Sequence, residues 1–261
     1  MPSHKNLLHL IKTSRLDILT QLHLEESLFR STSKNWLLVN DGVATPAVVL
    51  GISGKPAELV HDEKAKVMGV PLIKRFTGGG TVVVDENSVM TSLIVGPGVC
   101  EDVKRFPRAV MDWTHGVLFG DSCGSIGLVE NDFTIGARKI GGNAQAISGQ
   151  RFLQHTSFLW DYRESLMELL KEPVKRPAYR GDRAHQGFVT TLQRESTVSD
   201  LFGSVSGCER ESFVDGLVAR CVAQGGWSGV VQVELEEGLR LLEAYRSAKG
   251  RQVLLGSAYI Q

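Results

Sequence analysis

No two cysteines stand at metal-ligand spacing: the four lie at 100, 123, 208 and 221. Without a C-x-x-C pair, a zinc site is not indicated. With no signal peptide ahead of them, they read as reduced thiols of an intracellular protein. An excess of charge of either sign is also missing, since Lys+Arg and Asp+Glu both total 29. Nucleic-acid binding asks for a basic surplus, so it is not expected. No run of 18 apolar residues occurs, so no membrane span is read. The motifs G-x-x-x-x-G-K-[ST] and H-E-x-x-H are both absent. A nucleotide bound here must therefore be held by something other than a P-loop.

The chain has 261 residues, 42% hydrophobic and 22% charged. That is enough for one large domain, or one medium domain with a small appendage. Residues 1–15 carry Lys5, Lys12 and Arg15 with no acid before Asp17. A mitochondrial presequence has this character. The stretch NLLHLIKTSRLDIL also reads as a first strand running into a helix, and we take that reading. The compartment stays open between cytoplasm and mitochondrion.

Ile18, Leu22, Leu24 and Leu28 stand at helical spacing. NWLLVN reads as a strand turning at Asp41-Gly42, and AVVLGIS as a short buried strand. GKPAELVHDEKAKVMG gives a loop and a helix that ends at Gly69. PLIKRF and TVVVDENSVMTSLIVG are strands around a triple glycine. FPRAVMDWTHGVLFG is an amphipathic helix, and residues 133–161 form strands with glycine turns. Beyond 162 lie a short helix stopped by Pro173, an irregular basic stretch, a capped STVSDLFG, and helices in ESFVDGLVARCVAQGG and ELEEGLRLLEAYRSAK. Helices and strands mix without βαβ alternation. The expected class is α+β, with a mixed, largely antiparallel sheet flanked by helices.

Two clusters invite chemistry. Lys74-Arg75-Phe76-Thr77-Gly78-Gly79-Gly80-Thr81 leads to Asp85. Three consecutive glycines cost chain entropy, and they allow close approach of backbone to a ligand. Arg75 is suited to a phosphate or carboxylate. Read by residue type alone, a hairpin turn with a solvated arginine remains equally open. The second cluster is Asn131-Asp132, then Arg138-Lys139-Ile140-Gly141-Gly142-Asn143-Ala144-Gln145. A lysine in a glycine-flanked strand suits a reacting carbonyl and its phosphate; an exposed strand lysine is the alternative. His155, in QHTSFLWD, is by itself no more than a strand histidine.

In this order, R-x-x-G-G-G with a following acid, N-D, R-K-x-x-G-x-A-Q and H-T-x-x-L resemble the lipoate-protein ligase A pattern of the biotin and lipoate ligases. The forms KRFTGGGTVVVD and ENDFTIGARKIGGNAQ look most like a eukaryotic or plant-type branch. The resemblance implies a class II synthetase-like fold over residues 1–226, and a short extension over 227–261 that is mostly one helix. It implies a two-step reaction: ATP and Mg²⁺ activate lipoate or octanoate as an acyl-adenylate, and a lysine of a carrier then takes the acyl group. The acceptor would be a lipoyl-carrier domain or an H-protein-like protein. Carried over by motif, Thr77, Gly78, Gly79 and Gly80 line the acyl pocket, and Arg75 contacts the adenylate phosphate. Lys139 bridges acyl and phosphate oxygens and is the catalytic residue. Asn131, Asp132, Gly142 and Ala144 lie near substrate or nucleotide, and His155 supports the pocket. Asp132 is the one candidate for a metal ligand. Leu93, Val95 and Ile73 are expected as walls of an apolar tunnel.

The pattern departs from the family where Val84 replaces a histidine before Asp85. It also lacks the separate C-terminal domain of many bacterial members, which suggests an accessory protein. The Arg176–His185 stretch reads as a solvated connection, with closure over the nucleotide as the alternative. Two rival functions stay open: an ATP-independent transferase using Cys123, and a non-catalytic lipoate- or nucleotide-binding regulator.

Overall fold

The computed structural model describes residues 6–99, 106–120, 125–172, 176–195, 209–247 and 256–260. Its strands are β1 (Leu7–Leu16), β2 (Asn35–Val43), β3 (Ala47–Leu50), β4 (Leu72–Lys74), β5 (Val82–Val84), β6 (Ser88–Val95), β7 (Ile126–Val129), β8 (Asp132–Ile135), β9 (Arg138–Ser148), β10 (Arg151–Leu159), β11 (Gly229–Gln232) and β12 (Ala258–Ile260). The α-helices are α1 (Ile18–Ser31), α2 (Pro56–Leu59), α3 (Asp62–Val67), α4 (Pro107–Leu118), α5 (Glu164–Met167), α6 (His185–Phe188), α7 (Glu209–Gln224) and α8 (Leu235–Ser247).

An eight-stranded sheet runs β11-β1-β2-β6-β10-β9-β8-β7 and a four-stranded sheet runs β12-β4-β3-β5. In the large sheet β1 is parallel to both its neighbours, and the other pairings are antiparallel. The expected α+β class with a mixed, largely antiparallel arrangement is what forms, but as two sheets. The second sheet arises because the short runs at 47–50, 72–74 and 82–84 pair among themselves.

Strand alternation divides the core. On one face of the large sheet, Leu93, Val95, Phe133, Ile140, Phe152 and Phe158 pack beneath α4 and α7. On the other face α1 is gripped between layers. Its N-cap Asp17 accepts from the Thr20 N–H at 3.0 Å. Its Ile18 and Leu22 meet Ile73, Val84 and Met90, while Leu24 and Leu28 meet Ile94, Leu153 and Leu242 of α8. Leu93 and Val95 therefore lie on the opposite face from Ile73, and the three cannot wall one tunnel. Asp41-Gly42, expected as a turn, falls inside β2, with Gly42 at φ +87°.

The stretch beyond 226 contributes more than a helix: β11 becomes an edge of the large sheet and β12 an edge of the small one. The expected helix cap at STVSDLFG lies outside the described residues. Among the described residues no helix is long and apolar enough to cross a membrane.

Candidate active site

Lys139 owes its direction to a bulge. Between β8 and β9, Phe133 pairs with Gly141 but Thr134 pairs with Lys139, so Ile140 is the extra residue. An extra residue breaks strict alternation and re-aims its neighbours. Ile140 joins the core beneath α4, and Lys139 turns to the other face beside Asp132. The ammonium lies 2.8 Å from Asp132 Oδ1, with the lysine side chain 22% exposed. The adjacent glycines each make room for a different ring or chain. A Cβ on Gly141 would sit 3.0 Å from the Phe158 ring, and one on Gly142 3.1 Å from Lys139 Nζ. Phe133, stacked on Phe158 at 5.7 Å, anchors the hairpin from below and sends its neighbour Asp132 to the upper face.

The basic stretch is not a solvated connection. Tyr179 Oη donates to Asp132 Oδ2 at 2.8 Å, and Arg183 donates to the Ala137 carbonyl at 2.7 Å. Farther along, the Thr190 N–H reaches the Lys139 carbonyl at 2.8 Å. Arg180 is buried, ion-paired with Glu172, and both Arg180 and Arg183 lie over the Phe188 ring. Aromatic stacking and backbone acceptors hold this strap down, so its positive charge does not need bulk water. Burial, then the neighbouring Asp132 charge, pushes the Tyr179 hydroxyl well above its ordinary pKa, so it stays a neutral donor. His185 is lowered by burial and then by Arg180.

The triple glycine lies against the edge of β9 that β8 does not cover. The Gly78 N–H donates to the Gln145 carbonyl at 3.2 Å. Arg75, 3% exposed, is turned inward beneath the loop. Its guanidinium donates to Val49 O at 3.3 Å, Gly78 O at 3.3 Å and Gly80 O at 2.7 Å. Burial lowers its pKa to about 10, opposed by the charge of Glu25, so it remains a cation at neutral pH. Gly79 has φ +118°, and a Cβ there would lie 2.7 Å from Arg75 Nη2. Added Cβ atoms on Gly78 and Gly80 would meet nothing within 4 Å. Only the middle glycine is demanded by the loop's own packing. Thr77 Oγ1 and Arg75 Nε are buried without a partner among the described residues.

His155 is fixed from α1. Its Nδ1 lies 3.0 Å from Glu25 Oε1, and the fully buried Glu25 also accepts from Gln21 at 2.9 Å and Ser92 at 2.5 Å. A buried carboxylate is tolerated when several donors converge on it. On the opposite face, Asn143 Oδ1 accepts from Gln154 at 2.7 Å and Thr156 at 2.6 Å, while Asn143 Nδ2 donates to the Asn131 carbonyl at 3.1 Å. Asn131 thus meets this network through its backbone, its side chain exposed. Ala144, opposite His155 in the ladder, lies 3.4 Å from the Cβ position of Gly79.

The structure thus brings together Lys139, Asp132 and Gly142, and separately Arg75, Thr77, Gly78, Gly79, Gly80 and Ala144, with His155 behind them. Glu25 and Gln21 were missed, because they lie outside the glycine-rich motifs, and Tyr179 and Arg183 were read only as part of a solvated basic stretch. Glu25 was visible only as an acid within an apolar helical stripe. Both Asp132 oxygens are engaged, one of them by a cation, so this residue does not fit as a metal ligand. Among the described residues no group of three His, Cys, Asp or Glu side chains converges as a metal site. Asp85 serves its own turn, accepting from the Asn87 N–H at 2.8 Å and from Arg163 at 3.2 Å. Cys123 lies outside the described residues.

The family described as lipoyl protein ligase A/B catalytic domain matches residues 17–202. The inactive lipoate–protein ligase 2 of Plasmodium falciparum (isolate 3D7) is 28% identical, over 72% of this chain and 64% of its own length. The chain spans 44% of the lipoate–protein ligase of Streptococcus pyogenes serotype M5, at 27% identity over 60% of this chain. In structure it is similar to the bipartite lipoate protein ligase of Thermoplasma acidophilum, at TM-score 0.65 and 20% identity over 94% of this chain and 93% of that one. Lipoate-protein ligase A bound with ATP gives TM-score 0.65 at 18% identity, over 93% and 95%. At these identities the structural likeness shows a shared fold.

Proposed function

We propose, from the premise that the chain belongs to the lipoyl protein ligase A/B catalytic-domain family, that it attaches lipoate or octanoate to a carrier lysine through an acyl-adenylate. The observation that carries this is the partly exposed Lys139 ammonium, pinned by Asp132 next to a glycine. Two oxyanions form in such a reaction. In the first step a carboxylate oxygen attacks the α-phosphorus of ATP and the bond to pyrophosphate breaks. In the second, the carrier's ε-amine attacks the acyl carbonyl, the bond to AMP breaks, and the amine proton leaves. A fixed ammonium stabilises the charge that grows on the carbonyl and phosphate oxygens in both.

Thr77, Gly78 and Gly80 supply the acyl pocket in this reading. The supporting facts are the open space beside both flanking glycines and the unpartnered Thr77 hydroxyl. Arg75 acts as the brace of that pocket. Ala144 forms its floor, and His155 holds the wall. Asn131 and Asp132 lie toward the nucleotide, beneath the Tyr179–Arg183 strap. The described residues do not fit a protein-held Mg²⁺, and no step here runs through one.

The acceptor is a lipoyl domain, or an H-protein-like equivalent. Support comes from the Thermoplasma ligase, described together with its E2 lipoyl domain. That ligase is also bipartite, which supports an accessory partner for this chain. The name of the Plasmodium relative favours a second reading, a non-catalytic lipoate-binding protein. The transferase through Cys123 is the third.

Incubation with lipoate, ATP and a recombinant lipoyl domain separates them. Ligase activity releases pyrophosphate and AMP and adds one lipoyl group to the acceptor lysine. Octanoyl transfer from acyl carrier protein without ATP would mean the transferase. Neither product, from a folded chain that still binds lipoate, would leave the binding protein. Transfer from preformed lipoyl-AMP is expected to be faster than adenylation by the chain alone. Equal rates would remove the case for an accessory partner.

A further inference from the structure

Phe76 stands between Arg75 and Thr77, and it is gripped by the other end of the chain. Its N–H donates to Ser257 Oγ at 3.1 Å. A Cβ on Gly256 would lie 2.7 Å from Phe76 Cβ. Next to this contact, β12 pairs with β4 so that Ala258 faces Lys74 and Tyr259 faces Ile73. Ser257 is 2% exposed, so the Phe76 N–H has no water to turn to if the hydroxyl is lost.

One face of α1 holds this end in place. His23, Glu26 and Arg30 follow at spacings of three and four, which sets them on one helical stripe. Glu26 accepts from the Gly256 N–H at 2.8 Å and from Arg30 Nε at 2.9 Å. His23 Nε2 donates to the Ser257 carbonyl at 2.7 Å, and Nδ1 accepts from Arg246 of α8 at 2.9 Å. These partners call for the neutral Nε2–H tautomer. The Phe76 ring is closed in by Phe29 at 6.5 Å and by the Arg30 guanidinium at 5.6 Å.

We propose that the segment leading into β12 is a positioning element of the acyl pocket: Gly256 and Ser257, held by Glu26 and His23, fix Phe76 and so set the conformation of the Arg75–Gly80 loop. The adjacent glutamates divide the work, Glu25 toward His155 and Glu26 toward this segment. The link to lipoate rests on the ligase reading above; the mechanical coupling does not.

The test uses the full chain with Ser257→Ala and Ser257→Thr. Amide hydrogen exchange is followed across residues 76–80, together with lipoate KM and kcat. Ser257→Ala is expected to speed exchange there about tenfold and to raise lipoate KM on the order of tenfold, with kcat within about twofold. Ser257→Thr, which keeps the hydroxyl, should restore both. Wild-type exchange at 76–80 in a folded Ser257→Ala overturns the coupling. So does a loss confined to kcat that threonine leaves unrepaired. Should Ser257→Ala not fold, Gly256→Ala, which pushes on Phe76 directly, is read by the same exchange. A wild-type chain that neither binds nor transfers lipoate would sink the ligase reading, while exchange still decides the latch.

Discussion

The two cations of the site are held by opposite means. Arg75 is buried and is met by three carbonyl oxygens; among the described residues the charge that acts on it is the more distant Glu25. Lys139 is partly exposed and lies against a carboxylate. Neutral acceptors spread around a planar guanidinium make a rigid tie, with five donors in a fixed fork. An ammonium against one carboxylate keeps donors free for an incoming oxygen. One half of the site is therefore built to hold shape, and the other to meet charge.

The sharpest way to break this contrast is at Lys139. Lys139→Ala should lower acyl transfer on the order of a hundredfold or more with the thermal transition intact. A folded variant with near wild-type transfer would take Lys139 out of the chemistry. The opposite pattern is expected at Arg75. Arg75→Met leaves carbonyls buried without donors and should cost about 2–4 kcal/mol of stability in urea unfolding. Arg75→Lys should recover little, because an ammonium cannot span the three acceptors. Full recovery by lysine would mean that charge alone matters there.

A smaller effect is expected at the strap. Tyr179→Phe removes the donor on Asp132 Oδ2 and should lower kcat/KM by about fivefold, equivalent to about 1 kcal/mol. An unchanged kcat/KM would reduce the strap to a cover. Smallest of all are the thiols. Cys123→Ser should leave activity within about twofold, since no step of the adenylate route uses a thiol, and loss of activity would point to a thioester route. Burial pushes the Cys221 thiol up to about 12, so iodoacetamide should not label it in the native protein at pH 8. Rapid labelling would show that the α7 core opens.

Much of the fold was readable because its signals are local. The stripe Ile18, Leu22, Leu24, Leu28 marks α1, and all four side chains are buried. The glycine pair after Lys139 marked a place of close approach, although what approaches Gly142 in this structure is Lys139 itself. The basic stretch was misread because no periodicity announces its partners: Glu172 and Phe188 lie within nine residues of Arg180 and Tyr179, and Asp132 comes from β8, but only the folded chain brings them together. The tunnel walls were misread because β6 alternates faces, and nothing local says which face meets the small sheet.

By itself the sequence determined which residue types stand together: the triple glycine behind an arginine, the lysine before paired glycines, the acid following an asparagine. Those are properties of neighbouring residues, where spacing and chain entropy already act. Tertiary structure decided where each points. The bulge at Ile140 turns Lys139 to Asp132, the guanidinium of Arg75 folds under its own loop, and Ser257 reaches Phe76 from 181 positions away. A hydrogen bond is worth having only where water is excluded and the partner is already in place. That condition exists only after the sheets and α1 have packed.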